Sequence, residues 1–447
     1  MKTTSHTTEH RERAFLVGLG KKRPGRAPGT EAGQAERESL LELAELARSA
    51  GAEVTGSMLQ MRERPDPATL VGQGKLEEIE IEARMHNAPL VIFDNNLSPT
   101  QQRNIEEALD RRVIDRTQII LDIFARHARS REGQLQVELA QLNYLLPRLA
   151  GRRTELSRLG GGIGTRGPGE QKLETDRRRI REKIGRIQKS IEMVRKQRSL
   201  RREKRQAVPL GTVALVGYTN AGKSTLFNAL SKAGVLVSSK MFATLDPTVR
   251  AVRLPSGRRV LLSDTVGFIR ALPPALIAAF RATLEEVQEA SLLLHVTDIS
   301  NPHHAEQDSE VEKVLAELGV NDRPRLLVCN KIDRLPKDEL ATLVAANQSA
   351  HTRVADSPAN TAVTHGKVFV SALKNEGLDE LLRRMDEAIP VDSVVRMRLL
   401  VPMTDGRMLS LIHALGRVLH SEIEDSSMRL EADVPESLAR RLNAYTN

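Results

Sequence analysis

A loop at residues 217–224 carries the residue types that hold phosphate groups. Its glycines and lysine follow the G-x-x-x-x-G-K-S spacing, in which backbone N–H groups point inward at phosphate oxygens. We expect Lys223 to reach the β- and γ-phosphates and Ser224 to hold Mg²⁺. Apolar runs before and after the loop predict the strand and the helix N-terminus that such a loop needs. The expected phosphate-binding residues are Gly217, Tyr218, Thr219, Asn220, Ala221, Gly222, Lys223 and Ser224.

A carboxylate ends a later apolar run, Leu261–Asp264, and forms a second nucleotide segment. Asp264 suits the Mg²⁺ shell, which it would join through water. The N–H group of Gly267 can then be offered to the γ-phosphate. Thr265 and Val266 lie between these two groups and belong to the same expected site.

Two more segments predict recognition of a guanine base. A carboxylate at Asp333 can accept hydrogen bonds from both N1–H and N2–H₂ of guanine, a donor pair that adenine lacks. The apolar stem of Lys331 can cover the base, and a backbone N–H at 371–373 can meet guanine O6. The site is therefore expected to take GTP and GDP in preference to ATP. The expected base-side residues are Asn330, Lys331, Ile332, Asp333, Ser371, Ala372 and Leu373.

Residues 242–248 read Phe-Ala-Thr-Leu-Asp-Pro-Thr and lie between the first two nucleotide segments. A hydroxyl here should complete the Mg²⁺ shell only when the γ-phosphate is present, and so order the segment. Thr244 and Thr248 both qualify by their chemistry, and the residues alone do not separate them. The expected nucleotide site also includes Phe242, Ala243, Thr244, Leu245 and Asp246.

The composition limits the class of protein that carries these segments. The chain has 447 residues, a length that predicts more than one domain. Aromatic residues make up 2 %, which argues against a surface that stacks single-stranded bases. Cys329 is the single cysteine, so a disulfide framework is excluded and a reducing compartment is expected. No run of about 18 apolar residues occurs, so we expect no integral membrane segment.

The order of apolar runs and helical stripes predicts an α/β protein. We expect a P-loop GTPase domain with a doubly wound, mostly parallel sheet. A small α/β subdomain with a long helical hairpin should precede it, and a small α+β domain should follow it. The expected boundaries are a flexible tail at 1–35, with one strand candidate at 14–19, the α/β subdomain at 36–130, the hairpin at 131–207, the GTPase domain at 208–390 and the C-terminal domain at 391–447.

Positive charge is concentrated between residues 152 and 205. This segment holds 19 Lys and Arg against 7 Asp and Glu, whereas the whole chain carries +9. Apolar residues at spacings of four and three predict two helices that pack on each other, with a glycine-rich loop at Gly160–Glu170 between them. The imbalance favours a polyanionic partner such as RNA over a solvated helix surface, held mainly through phosphates and shape.

The four nucleotide segments together resemble those of the translation-factor-class GTPases of the Obg–HflX group. Three further stretches are similar to the HflX family itself: Val71–Lys75, Gly160–Glu170 and Glu174–Arg179. The resemblance covers most of residues 35–390. It implies a GTPase with Mg²⁺, in which Lys223, Asp264, Gly267 and Thr244 carry the chemistry. It also favours Thr244 over Thr248 as the Mg²⁺ ligand beside Ser224.

The resemblance also implies partners and a location. It predicts a monomer that binds the large (50S) ribosomal subunit and the 70S ribosome through the Gly160–Glu170 loop and the basic helix at 172–205. It further implies that stalled or idle ribosomes are dissociated, particularly under stress. The expected location is the cytoplasm, on ribosomes, with peripheral membrane contact left open. Leu373 stands where such GTPases often carry Lys or Arg, so only backbone roles carry over there.

Phe268 follows Gly267 at the position where many GTPases have a glutamine that orients the attacking water. A phenyl ring neither donates nor accepts a hydrogen bond. We therefore expect slow intrinsic hydrolysis, which rises when the ribosome orders the mobile segments or supplies a missing group.

Other functions remain open at this point. A GTP-regulated RNA chaperone, which binds RNA through the hairpin, belongs to a different class and is the main alternative. The Gly162–Gly167 stretch formally fits a dinucleotide fingerprint, but its neighbours are helical and basic. Gly72–Lys75 could hold a second phosphate group, although it lacks the full loop spacing. A role in tRNA modification is weak, because no second catalytic constellation is present.

Overall fold

The computed structural model describes residues 11–22, 33–149, 168–206, 211–231, 241–242, 247–270, 286–320, 322–354, 364–389, 394–424 and 426–446. In these residues the strands form three separate sheets of four, six and three strands. No helix of the described residues is both long enough and apolar enough to span a bilayer. The Gly160–Gly167 part of the glycine-rich loop and residues 243–246 lie outside the described residues.

The N-terminal sheet is fully parallel, with the order β2-β1-β3-β4. Its strands are β1 (Arg13–Lys21), β2 (Glu53–Arg62), β3 (Leu90–Phe93) and β4 (Arg112–Asp115). Its helices are α1 (Gln34–Ser49), α2 (Gln73–Met85), α3 (Pro99–Leu109) and α4 (Arg116–His127). Ser98 caps α3, since its hydroxyl accepts the N–H group of Gln101 in a capping box.

The expectation of a flexible tail at residues 1–35 is wrong for β1. This strand pairs with both β2 and β3 and therefore lies inside the sheet, as the candidate strand at 14–19 allowed. Ala14 and Leu16 are fully buried. The strand is held because its apolar side chains fill both faces of a parallel sheet that helices cover.

Two helices form the predicted hairpin, α5 (Arg131–Arg148) and α6 (Pro168–Gln206). They meet along an apolar seam in which Leu135 packs with Ile187 and Ile191. Lys183 adds an ion pair to Glu138 across the two helices, with a distance of 2.6 Å between Nζ and Oε1. Hydrogen bonds to the buried Asp115 from Tyr144 (2.9 Å) and Arg148 (3.1 Å) fix α5 to the N-terminal sheet.

The six-stranded sheet has the order β10-β9-β8-β5-β7-β6 and is parallel except for β6. Its strands are β5 (Gly211–Val216), β6 (Thr248–Arg253), β7 (Arg259–Asp264), β8 (Leu292–Asp298), β9 (Arg325–Asn330) and β10 (Thr364–Phe369). Its described helices are α7 (Lys223–Ser231), α8 (His304–Glu317), α9 (Lys337–Val354) and α10 (Leu378–Ala388), with a 3-10 turn at Ile332–Arg334. The predicted fold class, a mostly parallel P-loop GTPase sheet with additions at both ends, is confirmed.

The C-terminal unit is a small antiparallel sheet with the order β11-β13-β12. Its strands are β11 (Val394–Pro402), β12 (Arg417–Glu424) and β13 (Ser427–Pro435). The helices α11 (Gly406–Leu415) and α12 (Glu436–Leu442) and a 3-10 turn (Asn443–Tyr445) complete it. Leu399, Leu430 and Leu438 are buried in its own small core.

One hydrophobic core joins the N-terminal unit to the nucleotide-binding sheet. It contains Leu43 of α1 and Phe124 of α4 together with Phe242, Phe268 and Val311 from the second unit. The rings of Phe124 and Phe242 meet edge to face, with centroids 4.6 Å apart. The N-terminal unit therefore packs directly beside the phosphate loop.

Candidate nucleotide-binding site

The loop at residues 217–224 joins the end of β5 to the start of α7, which is the predicted strand–loop–helix context. Gly217 has φ +148°, and a Cβ atom there would lie 2.2 Å from the carbonyl oxygen of Val296. Gly222 has φ +95°, and its Cβ atom would lie 2.3 Å from the Nδ2 atom of Asn330. Only glycine fits these two positions, and the resulting loop directs the α7 N-terminus toward an anion.

Lys223 is buried inside the loop, with a relative exposure of 6 %. Its Nζ atom donates to the carbonyl oxygens of Gly217 (3.1 Å) and Tyr218 (2.7 Å). Burial lowers the pKa of Lys223 to about 8, while the negative charge of Asp264 acts in the opposite direction. A phosphate group at the loop would supply the missing anionic partner for this amine.

Ser224 and Asp264 bring two oxygen ligands together. The Ser224 hydroxyl donates to the Asp264 carboxylate at 2.8 Å, and Asp264 is fully buried at the end of β7. Hydroxyl and carboxylate oxygens are the ligands that Mg²⁺ takes in proteins, so this donor set fits the ion. Thr248 begins β6 opposite Asp264 in the strand register, whereas Thr244 falls outside the described residues.

The segment after Asp264 pairs with the phosphate loop. The N–H group of Phe268 donates to the carbonyl oxygen of Gly217 at 3.0 Å, and the N–H group of Thr219 donates to that of Phe268 at 2.7 Å. The Phe268 ring is 2 % exposed and belongs to the shared core. Gly267 lies against the phosphate loop, and a Cβ atom at this position would be 2.9 Å from the Nζ atom of Lys223.

Asn330 joins the two halves of the site, a role that its position in the motif did not reveal. Its Nδ2 atom donates to the carbonyl oxygen of Ala221 at 2.8 Å, and its Oδ1 atom accepts the N–H group of Ala372 at 3.0 Å. The side chain is 2 % exposed. It therefore ties the phosphate loop to the 371–373 segment.

Asp333 lies partly exposed in the turn after β9. The Ser371 hydroxyl donates to its Oδ1 atom at 2.6 Å, and this hydrogen bond is the main reason that the pKa of Asp333 lies below its usual range. The group is thus a carboxylate at neutral pH. Lys331 adopts a left-handed backbone (φ +66°), and its Nζ atom lies 2.7 Å from Asp298. Leu373 is 75 % exposed.

The site also contains a contact of Tyr218 that the sequence pattern does not predict. Tyr218 is expected to hold phosphate through its backbone, but its side chain turns toward α1. Its hydroxyl donates to Glu42 at 2.7 Å and accepts the N–H group of Arg270 at 2.8 Å. A cleft of about 710 Å³ borders this contact, between α1 and the start of α8. No local pattern in the sequence pairs residues so far apart along the chain.

Three family models match consecutive parts of the chain. They are described as the GTP-binding GTPase N-terminal region (residues 37–125), the GTP-binding GTPase middle region (residues 127–205) and the 50S ribosome-binding GTPase (residues 212–331). The third range spans the strands from β5 to β9 with the phosphate loop.

Curated relatives match over nearly the full length. GTPase HflX of Caldanaerobacter subterraneus subsp. tengcongensis is 45 % identical over 410 residues, which cover 92 % of this chain and 90 % of the relative. GTPase HflX of Escherichia coli K12 is 42 % identical over 408 residues, which cover 91 % of this chain and 92 % of the relative. Among solved structures, a GTP-binding protein of Sulfolobus solfataricus in complex with GDP superposes with a TM-score of 0.44 at 23 % identity, over 84 % of this chain and 98 % of that chain.

Proposed function

The chain belongs to the HflX family of GTPases, and from this membership we propose that its GTP form binds the large ribosomal subunit and separates stalled or idle ribosomes in the cytoplasm. Hydrolysis of GTP to GDP and phosphate would then release the subunit. The single observation that carries the proposal is the combination of a nucleotide site with a basic hairpin on one chain.

The nucleotide roles follow from the geometry of the loop. Lys223 would move from its carbonyl partners to the β- and γ-phosphates, where the negative charge stabilises its protonated form. Ser224 would hold Mg²⁺ directly, Asp264 would hold it through water, and the hydroxyl of Thr244 would complete the shell. The bound ion would neutralise charge on the phosphates. The N–H group of Gly267 would face the γ-phosphate.

The base would lie against the other half of the site. Asp333 would accept both guanine donors, with Ser371 holding its carboxylate in place. Asn330 would keep this half at a fixed distance from the phosphate loop through Ala221 and Ala372. The buried ring of Phe268 offers no polar group to a water molecule, which agrees with slow hydrolysis without a partner.

The ribosome contact would use the hairpin. Arg178 and Arg179 of α6 are exposed, with side-chain exposures of 79 % and 75 %. Their ion pairs to Glu182 (3.1 Å) and Asp176 (3.8 Å) lie at the surface, where such pairs contribute little. These guanidinium groups can therefore exchange carboxylate partners for RNA phosphates at low cost.

Co-sedimentation with purified large subunits tests the proposal. We expect the chain to pellet with the subunits in a non-hydrolysable GTP analogue and to remain in the supernatant with GDP. Lys223→Ala is the control, because it removes the phosphate contact and should abolish the difference between the two nucleotides. Equal pelleting of the unaltered chain in both nucleotides would contradict the proposal and favour nucleotide-independent RNA binding.

A further inference from the structure

Tyr218 forms a junction between three segments of the chain. Its hydroxyl donates to the Oε1 atom of Glu42 in α1 at 2.7 Å and accepts the N–H group of Arg270 at 2.8 Å. Its own backbone belongs to the phosphate loop, and its side chain is buried, with a relative exposure of 7 %. Burial, with the negative charge of Glu42, raises the pKa of the Tyr218 hydroxyl, so the group remains a donor.

Glu42 is held firmly by the N-terminal sheet. Its Oε2 atom lies 2.7 Å from Arg116, and a second ion pair of 2.6 Å joins Arg116 to Asp94 at the end of β3. Arg116 is 4 % exposed. Burial alone would lower its pKa, but the two carboxylates outweigh this effect and raise it, so the guanidinium stays charged. The hydroxyl of Tyr218 is thus bonded to a fixed group rather than to a mobile surface side chain.

Arg270 connects the same junction to the segment that must meet the γ-phosphate. It stands three positions after Gly267, and its side chain also donates to the backbone carbonyl of Ala35, in the first turn of α1, at 3.2 Å. Ile269 and Phe268 between them are buried. Because the residues between them are buried, a shift of Gly267 would also displace the N–H group of Arg270, which donates to the Tyr218 hydroxyl.

Gly267 packs closely against the phosphate loop in this structure. A Cβ atom on Gly267 would lie 2.8 Å from the Thr219 side chain and 2.9 Å from the Nζ atom of Lys223, and the Lys223 amine is bonded to loop carbonyls. A γ-phosphate that accepts the N–H group of Gly267 would have to enter this narrow space, so the 264–270 segment would have to shift relative to the loop. Such a shift would strain the hydrogen bond between the Arg270 N–H group and the Tyr218 hydroxyl, whereas GDP has no γ-phosphate to place there.

We propose that Tyr218 is a positioning residue that couples the α1 helix of the N-terminal unit to residues 264–270 and thereby lowers affinity for the triphosphate relative to the diphosphate. The coupling is reciprocal by thermodynamic necessity, so triphosphate binding loosens the hold of α1 on the loop. This inference concerns nucleotide binding by the GTPase and does not depend on the ribosome.

Residues 241 and 242, at the start of the Phe-Ala-Thr-Leu-Asp-Pro-Thr segment, contact the same unit. The N–H group of Met241 donates to the Ser49 hydroxyl at 3.0 Å, and Phe242 packs on Phe124 of α4. Phe242 is 3 % exposed and has a left-handed backbone (φ +58°). Residues 241–242 and 264–270 thus both contact the N-terminal unit. A change in either segment on nucleotide binding would therefore alter its packing against that unit.

A double-mutant cycle on the full chain tests the coupling. Tyr218→Phe keeps the ring but removes both hydrogen bonds, and Glu42→Gln weakens the acceptor. Affinities for a non-hydrolysable GTP analogue and for GDP are measured with fluorescent nucleotides. We expect the affinity ratio of analogue to GDP to rise about 3- to 10-fold in Tyr218→Phe and less in Glu42→Gln, as the loss of one or two buried hydrogen bonds implies. The affinity ratio of the double variant should equal that of Tyr218→Phe within experimental error, because both changes remove the same contact.

Glu45→Gln is the matched control, since Glu45 lies on the same helix, is about half exposed and pairs with Arg48. It should leave the ratio unchanged. Hydrogen exchange of residues 34–49 gives a second measure: the analogue should speed exchange in the unaltered chain and have no such effect in Tyr218→Phe. An unchanged ratio in Tyr218→Phe and Glu42→Gln, additive effects in the double variant, or an equal effect of Glu45→Gln would each overturn the proposal.

Discussion

Asp333 is the residue on which the choice of base depends. Its carboxylate offers two acceptors and is held by the Ser371 hydroxyl at 2.6 Å. Asp333→Asn replaces one acceptor by an NH₂ donor, which would face the donor pair of guanine. We expect GTP affinity to fall by at least about 10-fold, since an unpaired polar group in a site costs about 1–3 kcal/mol.

Xanthosine triphosphate provides the matched comparison for this variant. Xanthine carries an acceptor oxygen in place of the guanine NH₂ group, so it suits the NH₂ donor of an asparagine. Asp333→Asn should therefore gain affinity for xanthosine triphosphate while it loses affinity for GTP. Competition with a fluorescent GTP analogue measures both, and an unchanged preference for GTP would show that Asp333 does not face the base.

For single residues, the spacing within a motif predicts which side chains lie close together when the motif is local. Lys223, Ser224 and Asp264 come together as their motifs imply, because the loop after β5 and the last residue of β7 lie at the same edge of two neighbouring parallel strands. The partners of Tyr218 could not be predicted in this way. Glu42 is 176 positions away along the chain, and the contact depends on how two separate sheets pack.

The seam of the hairpin allows a prediction at the scale of elements. Ile187 of α6 is 5 % exposed and packs against Leu135 and Ile191 in a small cluster. Ile187→Ala leaves a cavity that few neighbours can fill, so the free energy of opening the hairpin should fall by about 2–4 kcal/mol. Hydrogen exchange of the α6 amides measures this loss.

Met193 supplies the control on the same helix, because it is 61 % exposed. Met193→Ala should change the opening free energy by less than about 0.5 kcal/mol. Equal exchange rates in Ile187→Ala and in the unaltered chain would show that α5 and α6 do not depend on each other. The seam would then be a contact without a structural role.

Element boundaries were predictable where the sequence carries a local stop or start signal. The apolar run before the phosphate loop marks β5, and the apolar run after it marks α7. The place of β1 inside its sheet carried no such signal. Its neighbours β2 and β3 are far along the chain, and a short apolar run shows only that a segment is buried, not which strands flank it.

At the scale of the whole molecule, the mostly parallel nucleotide-binding sheet followed from alternating strands and helices. The packing of the N-terminal unit on the phosphate loop did not, because it rests on a core shared between distant segments such as Phe124 and Phe242. Side chains of this kind look like ordinary core residues in each half. Only their meeting in three dimensions shows that the two halves form one core.

Positive charge is unevenly distributed along the chain. The segment from residue 152 to 205 holds 19 of the 67 basic residues and only 7 of the 58 acidic ones, so phosphate contacts should be concentrated there. Replacing Arg177, Arg178 and Arg179 together by Ala should weaken binding to large subunits in the GTP analogue. The slope of log affinity against log salt should fall by up to about 3, since each lost phosphate contact contributes about 1.

The triple replacement of Arg396, Arg398 and Arg417 by Ala is the control for this charge effect. These arginines lie on the C-terminal sheet, and Arg396 and Arg398 pair with Asp433 (2.8 Å) and Glu431 (3.7 Å). The control removes the same formal charge from a surface of mixed sign. If it flattened the salt dependence as much as the α6 variant, net charge alone would explain the binding. A flatter slope only for the α6 variant would place the RNA contact on the hairpin, because counterions are released only where phosphates are met.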